Sequence, residues 1–260
     1  MASAPAPTGI SVSRDGAVAT VTMLVPSLSV AVKTALRDAL HEVAADDGVR
    51  AVVLTGSGAA FCFGQDLGEH ARVLDAGAGS ALNTVTEHYN PIVLALAGMA
   101  KPVVAAINGT CVGAGLGLAL ACDLRLAATG ARMGTAFTGI GLTCDSGLSA
   151  TLGRAVGASR AAELVLLAEA FTAEQAHSWG LVRDVVAADQ LPATAAELAA
   201  RLAAGPTLAY AESKALLADP RLAQVLAAEA TAQARLGTSA DHQGAVRSFL
   251  AKHPPTFTGR

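Results

Sequence analysis

The stretch from Pro102 to Cys122 carries no charged side chain and is long enough to span a bilayer. Its turn signals argue against that. Asn108-Gly109 ends the apolar run from Pro102 to Ile107, and Gly113-Ala114-Gly115-Leu116-Gly117 opens a second one. Asn-Gly and closely spaced glycines favour turns over one continuous helix. The stretch reads as a buried strand, a glycine-rich turn and a short helix. Such a strand-to-helix turn leaves backbone N–H groups free to face a negative charge. Further on, Asp145 sits among Ile140, Leu142, Cys144 and Leu148. Apolar neighbours desolvate a carboxylate and raise its pKa from about 3.9, as proton transfer near neutral pH requires. The bland alternative is that Asp145 caps a helix over 148–156.

Composition narrows the class. Of the 260 residues, 52% are apolar and 15% charged, so the core is large and part of the surface is expected to be covered in a homo-oligomer. The net charge is −3 with no basic block, which argues against nucleic-acid binding. Cys62, Cys111, Cys122 and Cys144 form no C-x-x-C pair, and no Cys/His cluster has zinc spacing, so no metal site is expected. Small buried thiols in a reduced, cytoplasmic protein are the expectation. Residues 1–8 show neither the basic nor the apolar region of a secretion signal.

Along the chain, Ile10 to Arg14 and Ala17 to Leu24 alternate around Asp15-Gly16 and predict a hairpin. Val32, Ala35, Leu36, Ala39, Leu40 and Val43 predict an amphipathic helix ending near Asp46-Asp47-Gly48. Ala51 to Thr55 and Asp123 to Ala127 read as strands, and residues 80–99 as a long helix that Pro91 starts or breaks. Strands alternating with helices predict an α/β layered core. Thr172-Ala-Glu-Gln175 has the form of a capping box. Further helices are predicted near 191–204, 207–217 and 221–235, with a last one from Asp241 to before Pro254.

Two tempting motifs fail on inspection. The third glycine of a dinucleotide fingerprint would fall at Leu118, and no acidic ribose partner follows at the right distance. The histidines 41, 70, 88, 177, 242 and 253 stand singly, so no Ser-His-Asp arrangement can be assigned. His70 and His88 lie nearest the glycine turn and Asp145.

The segments Ala60-Phe-Cys-Phe-Gly-Gln-Asp-Leu67, Lys101-Pro-Val-Val-Ala-Ala-Ile-Asn-Gly109, Gly113-Ala-Gly115, Ala121-Cys-Asp123, Ala173 to Val182 and Ser248 to Gly259 together resemble the crotonase, or enoyl-CoA hydratase/isomerase, superfamily. The resemblance spans nearly the whole chain. It implies an α/β fold, a spiral of ββα units over residues 1–195, with a C-terminal helical region over 196–260 that builds trimers or hexamers. It implies an acyl-CoA thioester substrate, no separate cofactor, no nucleic acid and no membrane. The thioester oxygen would be held by the backbone N–H groups of Gln65 and Ala114. Phe63, Asp66, Leu67, Gly113, Phe137 and Leu142 would line the substrate site. Phe249 and Lys252 match a C-terminal pair that reaches the CoA of a neighbouring subunit.

The departures from the family pattern are as informative. The two glutamates of typical hydratases would fall at Gly117 and Phe137, and neither residue moves a proton. Asp145 stands where certain isomerases of the family, including ring-epoxide and Δ3,Δ2-enoyl-CoA isomerases, keep a single aspartate. Dehalogenating members carry a histidine before the Lys-Pro pair, and Leu94 to Ala100 holds none. The basic residue that usually precedes the first helix and meets CoA phosphates is missing. Lys33 is the nearest cation, with Arg72 or Lys252 of a neighbour as substitutes. An isomerase with Asp145 as its one base is the leading expectation. An unusual hydratase and a non-catalytic acyl-CoA-binding homologue stay open.

Overall fold

The computed structural model describes residues 9–77 and 79–260. The lead-in that shows no secretion signal lies outside them. β1 (Ile10–Asp15) and β2 (Val18–Met23) form the predicted antiparallel hairpin, with Asp15 facing Val18. From β2 onward the chain winds as a spiral. Each turn lays one strand in a six-stranded sheet and one short strand in a second sheet. The first sheet runs β1-β2-β4 (Ala51–Gly56)-β7 (Val103–Ile107)-β9 (Leu124–Ala128)-β12 (Asp184–Val186). The second runs β11 (Phe171–Thr172)-β10 (Arg132–Gly134)-β8 (Thr110–Val112)-β5 (Ala60–Cys62). A two-stranded ladder joins β3 (Ser27–Leu28) to β6 (Gly64–Gln65). The neighbours from β2 to β12 pair in parallel. Such strands are covered on both faces, which is why β4 and β7 read as unbroken apolar runs.

The helices follow from capping and burial. α1 (Val30–Ala45) starts at Ser29, whose hydroxyl accepts the N–H of Val32, and buries Val32, Lys33, Leu36, Ala39, Leu40 and Val43. The helix predicted over 80–99 is shorter. A π-helical turn, Val85–Tyr89, leads into α3 (Asn90–Gly98). Pro91 stands in the first turn of α3, where its missing N–H costs no hydrogen bond. α2 (Leu67–Asp75), α4 (Ala114–Ala121), α5 (Leu148–Val156) and α6 (Ala158–Leu167) follow strands or loops of the spiral. α7 (Ala173–Ser178) opens on the predicted capping box, with Thr172 and Gln175 bonding reciprocally. The last helices are α8 (Leu191–Ala203), α9 (Thr207–Leu217), α10 (Leu222–Gly237) and α11 (Ala240–Leu250).

The boundary drawn between residues 195 and 196 falls inside α8. Leu191, Ala195, Leu198 and Ala199 of that helix pack on Val18, Val53, Val104 and Leu126 of the sheet, so the helix belongs with the spiral on both sides of that point. α9 is fastened to the same layers by Lys214. Its ammonium donates to the carbonyls of Leu96 (2.8 Å) and Lys101 (3.3 Å) and to the Asp123 carboxylate (2.8 Å). Asp123 also accepts the N–H of Val103 at 2.7 Å. Replacing Lys214 by Met strips one donor from three acceptors at once. The expected cost is about 2–3 kcal/mol, read as a lower urea midpoint at unchanged slope.

Candidate active site

Two strand-to-helix turns meet at the site. β8 delivers the chain to Gly113, at φ +58° and ψ −128°, a conformation essentially restricted to glycine. α4 then begins at Ala114. No backbone acceptor among the described residues takes the Ala114 N–H, as the first turn of a helix dictates. On the other side β6 ends at Gln65, and Asp66 caps α2 by accepting the N–H of Glu69 at 2.8 Å. The turns touch: a Cβ on Gly64 would lie 3.2 Å from the Ala114 nitrogen. Residues 64–65 are thereby held against Ala114. Across the turn, a Cβ on Gly113 would lie 4.0 Å from Phe137 Cζ, and the Leu142 N–H closes back on the Phe137 carbonyl at 3.0 Å. Phe137 and Leu142 are buried, Phe63 is exposed, and Asp66 and Leu67 are half-buried.

Asp145 lies beside α4, where its neighbour Ser146 packs on Gly117. It is buried, and its oxygens accept from the Ser146 hydroxyl (2.8 Å) and the Gln233 amide (2.9 Å). Burial pushes its pKa up to about 6, against the pull of those two hydrogen bonds. The nearby Glu229 raises it and Lys33 lowers it to a smaller degree. Asp145 does not cap α5 with its side chain. Glu229 of α10 serves that helix start instead, accepting the N–H groups of Gly147 (2.8 Å) and Ser149 (2.9 Å) and the Ser149 hydroxyl. Ser146 at φ +58° and Ala136 at φ +63° hold left-handed backbone beside Asp145 and Phe137, a strain of about 1–2 kcal/mol each.

Gly117 is more than an absent glutamate. A Cβ there would approach Ser146 Cβ at 2.6 Å, so the turn that carries Asp145 is packed against the bare backbone of α4. The two features cannot both be kept if a side chain is added at residue 117.

Other expectations change. Lys33 does not face solvent as a phosphate-binding cation. It is fully buried, donates to Gln65 Oε1 at 2.9 Å and to Thr84 Oγ1, and lies 4.9 Å from the centroid of the Tyr89 ring. Tyr89 donates to the same Gln65 oxygen at 2.9 Å. His70 and His242 are not single: their Nε2 atoms are 2.8 Å apart. His242 Nδ1 lies 2.7 Å from the Ile140 carbonyl, which only accepts. His242 therefore carries its proton on Nδ1, and His70 donates from Nε2. Burial lowers the pKa of both imidazoles, that of His70 to about 4, and their contact clamps α11 to α2. Phe249 and Lys252 are exposed at the end of α11 and just beyond it, outside the Asp145 network. Arg72 is also exposed.

Gln233, Glu229, Thr84 and Tyr89 were not singled out from the sequence as site residues, and Lys33 was named only as the cation nearest the missing phosphate-binding residue. A signal for Lys33 existed, because Lys33, Leu36, Leu40 and Val43 keep the spacing of one helix face. A cleft of about 530 Å³ lies elsewhere, between α4, α5 and α9, and is lined by none of the predicted site residues. All four cysteines are buried and unpaired. No helix of the described residues is long and apolar enough to cross a membrane, and none of their acidic, His and Cys side chains cluster as metal ligands.

Comparison with known proteins agrees with this architecture. The family model described as enoyl-CoA hydratase/isomerase matches residues 13–260. A probable enoyl-CoA hydratase of Rhodobacter capsulatus is 44% identical over 241 residues, covering 90% of each chain. The 1,2-epoxyphenylacetyl-CoA isomerase of Escherichia coli is 40% identical over 229 residues, covering 86% of this chain and 87% of its own. An enoyl-CoA hydratase crystal structure from Mycobacterium avium subsp. paratuberculosis superposes with a TM-score of 0.85 at 35% identity, over 96% of this chain and 98% of that one. A winding of ββα units, two convergent helix starts and a match over almost the full length make this chain a member of the enoyl-CoA hydratase/isomerase family, the crotonase superfamily.

Proposed function

We propose that the chain is an acyl-CoA isomerase that shifts a double bond in an enoyl-CoA thioester. The thioester oxygen is received by the N–H groups of Gln65 and Ala114. Asp145 takes a proton from C2 of a 3-enoyl thioester. The electron pair spreads over the dienolate, whose oxygen the two donors stabilise, each contributing about 2.7–4 kcal/mol by analogy with acyl-transfer enzymes. The protonated carboxyl returns the same proton at C4, the C2–C3 double bond forms and the C3–C4 double bond is lost. No water and no redox partner enters the balance. The observation that carries this reading is the buried Asp145 carboxylate, with a pKa raised to about 6, beside Gly117 and Phe137 in the places of hydratase glutamates. The similarity to the Escherichia coli isomerase supports it.

Phe63, Leu67, Gly113, Phe137 and Leu142 form the acyl side of the site in this reading, with Asp66 holding the start of α2. Phe249 and Lys252 serve the CoA of a neighbouring subunit. The exposure of Leu208 (84%) and Leu216 (86%) on α9 supports a trimer or hexamer that covers them.

Four outcomes test the reading. Asp145→Asn lowers kcat for 3-enoyl-CoA conversion by ~10²–10⁴-fold while thioester binding persists. Equal rates for variant and wild type, or crotonyl-CoA hydration as fast as isomerisation, would remove the proposed role. As a base, Asp145 acts ionised, so kcat/KM falls as pH drops below about 6. Stability runs the other way. The folded-state pKa lies above that of an unfolded aspartate, so the favourable contribution is complete only below about pH 4 and is lost as pH rises through about 6. Asp145→Asn should therefore gain on wild type between about pH 4 and pH 8 by up to ~3 kcal/mol, measured by urea unfolding at each pH. Finally, Gly117→Glu restores no hydration. Its Cβ would displace Ser146, so the expected result is a less stable protein with slower isomerisation.

A further inference from the structure

The partners of Asp145 share a chemical property. The Ser146 hydroxyl lies 2.8 Å from Oδ1 and the Gln233 amide nitrogen 2.9 Å from Oδ2. Among the described residues, no Lys, Arg or His lies within ion-pair distance of the carboxylate. A hydroxyl can donate or accept, and a primary amide carries donors at one end and an acceptor at the other. A cation in either place would only donate, and would favour the ionised form. Both partners of Asp145 can therefore serve a carboxylate and a carboxylic acid alike. The charged and titratable groups farther out are Glu229 on α10, which raises the Asp145 pKa, and Lys33 on α1, which lowers it. Tyr89 and Cys144 complete the set, and the Asp145 charge opposes ionisation of both.

The second observation is at the other end of the Gln233 amide. Gln233 is fully buried, and its Oε1 has no hydrogen-bond partner among the described residues. A buried amide oxygen without a donor is costly, and folded proteins keep few of them. Here it has a consequence: no bond anchors the amide from behind. A half-turn about the last side-chain torsion exchanges Oε1 and Nε2 within almost the same outline. It breaks one hydrogen bond, the one to Asp145. The helix underneath stays fixed meanwhile. One turn earlier on α10, Glu229 accepts the N–H groups of Gly147 and Ser149, which pins α10 to the turn that follows Asp145.

We propose that Gln233 is the positioning residue of the Asp145 base, and that its amide reverses with the charge of that carboxyl. The inference rests on the isomerase reading, in which Asp145 is a carboxylate before it takes the substrate proton and an acid until it returns it. Against the carboxylate, Nε2 donates to Oδ2. Against the acid, the turned amide presents Oε1, and the Asp145 O–H donates to it. The reverse turn frees that proton for C4. The proton never leaves the Asp145 carboxyl during the exchange. One N–H···O bond is replaced by one O–H···O bond, and no covalent bond changes. The carboxyl thus keeps one orientation through both halves of the reaction. A lysine or arginine would support the first half only, and an apolar side chain neither.

The test is the pH dependence of 3-enoyl-CoA isomerisation by wild type, Gln233→Leu and Gln233→Lys. Gln233 as a donor lowers the Asp145 pKa. The acid limb of kcat/KM therefore moves up by about one pH unit in Gln233→Leu, and down by a similar amount in Gln233→Lys. The plateau kcat falls ~10-fold in both, because one variant leaves the carboxylate without support and the other opposes the acid. An acid limb unmoved in both variants shows a structural role, and a Gln233→Lys enzyme with wild-type kcat shows a fixed donor. Either result overturns the proposal and leaves the isomerase reading intact. Wild type that turns over no enoyl-CoA overturns both. A second measurement needs no variant and no turnover. In NMR of wild type, the Nε2 protons of Gln233 show Overhauser contacts with the Asp145 methylene at about pH 8 and lose them at about pH 5, on either side of the Asp145 titration. Contacts unchanged between those two conditions overturn the reversal.

Discussion

A carboxylate taken out of water loses several kcal/mol of solvation unless donors replace that water. Among the described residues, Asp145 meets the demand with two side-chain donors, Ser146 and Gln233. Two neutral donors leave the charge under-compensated, and the pKa stays raised. Much of the surrounding structure serves this balance. Glu229 ties down the turn after Asp145 by capping α5, one helical turn before Gln233 on α10. Ser146 takes up left-handed backbone so that its hydroxyl reaches the carboxylate. Gly117 lets the whole turn sit on α4.

The two helix starts proposed to receive the thioester oxygen follow a different rule. There the groups are backbone, and their positions are fixed by where strands end. Gly113 makes the reversal that starts α4, and Asp66 starts α2. The second sheet holds β5 and β8 in parallel, so these two starts converge. Side chains contribute little to that convergence, and the N–H of Ala114 is a backbone group that a glycine would present equally. Lys33 and Tyr89 both donate to the side chain of Gln65 and hold it from the inside of the fold.

Much of this was legible in the sequence, for reasons that differ by element. The hairpin, α1, β4, β7, β9 and the helices from α8 to α11 are long or strongly patterned, and periodicity marks them. β5, β8, β10 and β11 have two or three residues each, too few for alternation to show. The turn at 85–89 gave no sign, since a π-helical turn has no sequence period of its own. Asp145 was legible because its chain neighbours are apolar. Its partners were not, because Glu229 and Gln233 sit far along the chain on a helix that looks like an ordinary amphipathic one. The His70–His242 contact was hidden for the same reason: pairing across a fold leaves no local trace.

The partnership of Asp145 with α10 gives the chain a timetable. Asp145 and its partner Gln233 are 88 residues apart in the sequence. A polypeptide still being made, or one whose last helices have come loose, holds the Asp145 carboxylate in water at ordinary acidity. Under the proposed function such a chain would lack the raised pKa that lets Asp145 exchange a proton near neutral pH. Completion of the chain, rather than arrival of the substrate, would supply it.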